Sequence, residues 1–193
     1  MENTIALPNV SSGAAPLKGR AIGALICGVF GAIWMFEAVY FGAMATPLWL
    51  TVVALLSVTF IAWPAAKLYS YSRRGYSPKA ENWASVSKAY WIIVTIEWVT
   101  CIVGVNVLNN IGYGGLVPQF VGLVVGIHFL PLARIFKAPI YNWTGAVMSI
   151  GVLASLVIPA GNVRNLAAYG ICGYSLWATA IVILCKDKFS STK

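Results

Sequence analysis

Apolar residues in this chain do not alternate with polar ones; they gather into six long runs, over residues 21–41, 48–66, 86–108, 116–136, 142–160 and 166–185. A run of about 20 residues that is apolar on every helical face matches a helix crossing a hydrocarbon core of about 30 Å. Strands of a membrane barrel would instead alternate over segments of about 10 residues. The pattern predicts an all-α membrane protein, a six-transmembrane-helix bundle in one domain over 18–188. Flexible cytoplasmic tails are expected over 1–17 and 189–193. The first run exceeds the roughly 7–15-residue core of a signal peptide and contains Glu37. It is therefore read as a retained span, although Ala43-Met44-Ala45 resembles a cleavage site.

Composition sharpens this picture. The chain is 60% hydrophobic and 9% charged, against about 25% charged in soluble domains. That balance excludes an ordinary water-facing surface, and disordered chains are poor in apolar residues. Twelve basic residues fall on one side of the alternating spans: Lys18 and Arg20; Lys67, Arg73, Arg74, Lys79 and Lys88; Arg134 and Lys137; Lys186, Lys188 and Lys193. Arg164 stands alone on the other. The positive-inside rule then places both termini in the cytoplasm, with a bacterial inner membrane as the expected location. A net charge of +8 distributed in this way meets lipid headgroups and implies no nucleic acid. The connection over 67–85 is basic and tyrosine-rich, as expected of an interfacial anchor.

Two stretches resemble each other. Pro64-Ala65-Ala66-Lys67-Leu68-Tyr69 ends the second span, and Pro131-Leu132-Ala133-Arg134-Ile135-Phe136 ends the fourth. Each follows a span with one glutamate, Glu37 and then Glu97. This suggests a parallel repeat of the first two hairpins, with Pro-then-basic as a common helix ending as the plainer account.

Ionisable groups inside a membrane are expensive and usually face the bundle interior. Three lie within the runs: Glu37, Glu97 and His128. At about 1.5 Å per residue, Glu97 and His128 both fall near mid-membrane, on consecutive antiparallel spans. They are expected to hydrogen-bond, either as a proton-responsive pair in a substrate path or as a structural clasp. Glu37 falls near the outer end of its span, at the height of Arg164; it is read as part of the same substrate or proton path, with pairing to Arg164 or simple reach to the interface as the other accounts. Asn106, Asn110, Asn162 and Arg164 are candidates for a polar outer mouth, with helix capping as the competing role.

Other residues bear on packing. Gly122 and Gly126 form a GxxxG pattern that permits close helix approach. His128 lies about 200° around the helix from Gly126, so glycine and histidine should face different neighbours. Pro64 and Pro131 are expected to kink helices 2 and 4. Cys27, Cys101, Cys172 and Cys185 have neither zinc nor disulfide spacing and read as small apolar fillers. With one histidine, no metal site or cofactor is expected. No nucleophile elbow, P-loop, zincin or dinucleotide motif occurs, so the reading leans away from an enzyme.

The sequence thus points to a small polytopic inner-membrane protein that binds or transports a small solute, with a proton link through Glu97 and His128. Its partners are the lipid bilayer and a small-molecule ligand, with association into homo- or hetero-oligomers open. The alternative is a non-catalytic subunit, sensor or assembly partner. A third reading is an intramembrane enzyme using the Glu/His pair as acid and base.

Overall fold

The computed structural model describes residues 14–42, 45–73, 83–136 and 138–189. Most of the expected N-terminal tail, the last four residues and the middle of the tyrosine-rich connection lie outside the described residues. Six helices account for nearly all of the rest: α1 Ala14–Phe41, α2 Pro47–Arg73, α3 Trp83–Asn110, α4 Val117–Ile135, α5 Ile140–Ser155 and α6 Asn162–Phe189. Among the described residues there is no strand.

Helix α1 begins at Ala14, inside the stretch expected to be tail. Helix α2 continues to Arg73, past the apolar run that ends near 66. The apolar run marks the membrane-crossing length; the helical hydrogen bonding simply continues beyond it. Thr46 caps α2, accepting a hydrogen bond from the Trp49 N–H at 3.5 Å, with Pro47 as first helical residue. Helix α3 stops at Gly112, whose φ of +82° suits glycine. Tyr113 N–H donates to Leu108 O and Gly112 N–H to Asn109 O, the paired bonds of a Schellman ending.

Among the described residues five helices are long and apolar enough to cross a membrane. Helix α5 differs from its expected span of 142–160. It has 16 residues, about 24 Å, and ends at Ser155. Pro159 bars the helical conformation at Ile158, and turns follow to Gly161.

The helices pack side by side in the order α2, α1, α6, then α5 and α4 together, then α3. In lipid no hydrophobic force separates helix from solvent, so close packing decides the arrangement. Small residues provide it. Gly28 lies against the Phe60 carbonyl, which Pro64 leaves without its helical N–H. A β-carbon on Gly126 would come within 2.5 Å of Ser149 Oγ, and one on Gly145 within 2.6 Å of the Gly126 carbonyl. Met148, Val152, Cys172 and Leu176 fill the centre.

The two hairpins proposed as a repeat are not placed alike. Helix α1 is central and α3, its counterpart, is at an edge with no buried residue in its span; α4 is central while α2 lies outside α1. The prolines differ too: Pro64 is fully buried and Pro131 half-buried, and both sit inside continuous helices.

Candidate functional site

Two places on the molecule concentrate polar groups within the apolar spans. The first is the α3–α4 seam. His128 Nδ1 lies 3.0 Å from Glu97 Oε2, with side chains 10% and 18% exposed. The approach is not aligned as a hydrogen bond, and His128 Nδ1 has no other partner. The contact is therefore a close electrostatic one, which a small ring rotation would turn into a hydrogen bond. The Phe129 ring stands edge-on to the imidazole at 5.6 Å. The pair joins the two helices along a line that Gly104 opens by seating the Phe120 ring.

The glycines of α4 point elsewhere. Gly122 meets Val152 and Cys172, and Gly126 meets Gly145 and Ser149. Helix α4 thus offers its glycine face to α5 and α6 and its histidine face to α3.

The second place is at the end of the bundle carrying the α1–α2, α3–α4 and α5–α6 connections. Helices α1 and α4 both pack on α6 there without a close backbone approach to each other. A cleft of about 230 Å³ opens between them. Its walls are Ile33, Trp34 and Glu37 from α1, Val117, Pro118 and Val121 from α4, and Tyr169 from α6. Trp34 and Tyr169 lie 5.6 Å apart at 50°, and Phe41 stacks on Tyr169 at 6.2 Å. Glu37 is the one charged residue in the lining. Toward the other end, aromatic rings of α3, α4 and α5 form a contiguous cluster. Tyr141 lies 5.7 Å from Phe129 and 6.1 Å from Phe136, and Tyr90 lies 6.0 Å from Phe136. Gly23 of α1 is close enough to this cluster that a β-carbon would approach Tyr141 Oη to 2.5 Å.

Glu97 and His128 line neither this cleft nor a shallow groove on α3 formed by Lys88, Trp91, Ile92, Thr95 and Ile96. The expected outer mouth does not converge. Asn106 turns its amide back to Ile102 O at 2.7 Å, satisfying itself on its own helix. Asn110 and Asn162 are exposed, and none of the four candidates lines the cleft. Arg164 does not pair with Glu37; its Nη2 donates to Gly115 O at 3.0 Å. That bond ties the start of α6 to the short turn Gly114–Leu116 before α4.

Sequence reasoning passed over three features. Gln119 is 4% exposed, and neither amide atom has a partner among the described residues. Thr144 and Thr179 join α5 to α6 through their hydroxyls at 2.5 Å. Trp34 and Tyr169 come together as a wall. The first two are visible in sequence only as polar residues within apolar runs, and the third depends wholly on which helices meet. Among the described residues no three His, Cys, Asp or Glu side chains gather into a metal-ligand set.

The chain is an all-α protein of apolar, membrane-length helices. No protein-family model matches it, and neither a curated protein nor a solved structure is significantly similar to it.

Proposed function

We propose that this polytopic membrane protein binds a small solute in the cleft between α1, α4 and α6, and that the cleft faces the outside of a bacterial inner membrane. One observation carries the reading: Glu37, a carboxylate within a span, lines a cleft walled by Trp34 and Tyr169. Mostly apolar concavities with a few polar groups are where small ligands bind, and intramembrane carboxylates commonly mark solute paths. The basic residues at the other end support the orientation, with both termini cytoplasmic. Transport follows if the aromatic cluster opens in alternation with the cleft.

Glu97 and His128 serve in this reading as the clasp of α3 on α4. They line neither cleft nor groove, so the proton link expected from sequence is not part of the proposal. Thermal unfolding of the purified chain with a panel of small metabolites is the test. A compound that stabilises the protein but not Val121→Trp, which fills the cleft, supports the reading. Equal stabilisation of both forms, or none at all, contradicts it.

A second reading, a subunit or assembly partner, is favoured by one observation. Helix α3 has no buried residue in its span and presents Trp91, Ile96, Trp98 and Ile102 outward. Stoichiometric co-purification of another membrane protein would select it.

A further inference from the structure

We propose that the cleft takes a small alkylated ammonium cation, with Glu37 as its counter-charge and the Trp34 and Tyr169 rings as its wall; this rests on the cleft being a solute site. Among the described residues Glu37 makes no hydrogen bond or ion pair, and no cation lines the cleft beside it. The cation at the same end, Arg164, is turned to the Gly115 carbonyl. A membrane carboxylate of this kind is stabilised by a positive partner.

The remaining lining chooses among cations. Trp34 and Tyr169 line the cleft together, their rings inclined to each other at 50°, and aromatic rings attract a cation held within about 6 Å of the face. Ile33, Val117, Pro118 and Val121 add apolar surface. A primary ammonium has three N–H donors to satisfy, and the lining offers acceptors only on one side, the Glu37 carboxylate and the Tyr169 hydroxyl. A nitrogen bearing methyl groups needs none, and its methyl groups bury against the apolar walls. An anion is repelled by Glu37. A cleft of about 230 Å³ accommodates a choline-sized molecule. The same trimethylammonium chemistry occurs in a free solute and in a phosphatidylcholine headgroup, and Glu37 is near enough to the span's end for either.

Isothermal titration of the purified full chain with choline, and with its neutral carbon isostere 3,3-dimethylbutan-1-ol, tests the proposal. Choline should bind saturably and the isostere should not. Glu37→Gln should weaken choline binding roughly tenfold or more, with its melting temperature showing that it folds. Equal binding of choline and isostere, or choline binding untouched by Glu37→Gln, overturns the cation. If the isostere binds and Val121→Trp abolishes it, the cleft survives as a solute site; if neither compound binds, the cation proposal falls, and the metabolite panel alone decides whether the cleft is a solute site. Repeating the titration in phosphatidylglycerol nanodiscs separates the sources. Choline binding indifferent to added phosphatidylcholine assigns the site to a free cation, and binding lost as that lipid is added assigns it to the headgroup. No binding in either nanodisc overturns the proposal.

Discussion

His128 Nδ1 and Glu97 Oε2 face each other at 3.0 Å across the seam that holds α3, a helix that otherwise presents itself to lipid. Removing one partner leaves the other polar and unmatched in an apolar setting. Glu97→Leu and His128→Leu should each destabilise by about 1–3 kcal/mol. The double replacement should recover most of the loss, because an apolar pair restores the balance. Thermal unfolding of the four forms in one detergent checks this; single variants that melt like the parent would remove the clasp from the account.

Glycines of the bundle should divide sharply by position. A β-carbon on Gly126 would press on Ser149 and approach its backbone nitrogen to 3.0 Å, whereas one on Gly170 meets nothing within 4 Å. Gly126→Val is expected to destabilise by roughly 1–3 kcal/mol through overpacking. Gly170→Ala is expected to be neutral, or to stabilise by up to about 1 kcal/mol through helix propensity. Equal effects at the two sites would contradict the packing of α4 on α5.

Loss of the Thr144–Thr179 link should matter little. Each hydroxyl has one proton, so the threonine that donates across the link forgoes its own-helix carbonyl, Ile140 O for Thr144 or Ser175 O for Thr179, and can return to it when the partner is lost. Thr144→Val is expected to reduce stability by about 0.6 kcal/mol, the average for such bonds between membrane helices. A loss several times larger in a denaturant titration would mean that the two hydroxyls anchor α5.

The aromatic cluster carries more weight. Tyr141 is buried against Phe129 and Phe136, and truncation there leaves a large void. Tyr141→Ala should destabilise by about 3–5 kcal/mol, while Tyr141→Phe retains most of the packing. The melting temperatures of the two variants give the comparison.

The class and the helices were legible because the apolar runs announce themselves without any tertiary information. The Glu97–His128 contact was legible for a similar reason: two rare residues at matching depth on consecutive antiparallel spans have little choice of neighbour. The end of α5 was misplaced, although Pro159 and Gly161 signalled it, because the run stays apolar through Ile158. Of the cleft, only Glu37 and its own helix face were legible; the walls from α4 and α6 were not. A helix that is apolar on every side does not say which side meets another helix. The cleft exists because α1 and α4 both choose α6 and leave a gap between themselves. The expected mouth failed for the complementary reason, since Asn106 satisfies its amide on its own helix and reaches for no neighbour.

The account's central claim is an outward-facing cleft walled by α1, α4 and α6. Its most direct test is a cysteine introduced at Val121, in a chain with the partly exposed Cys101 and Cys185 replaced by alanine and the buried Cys27 and Cys172 kept as the unlabelled background, treated with a membrane-impermeant maleimide in vesicles of known sidedness. The account predicts labelling from the outer side only, abolished when Pro118→Trp fills the cleft. Labelling from the cytoplasmic side, or equal labelling with and without Pro118→Trp, would contradict it.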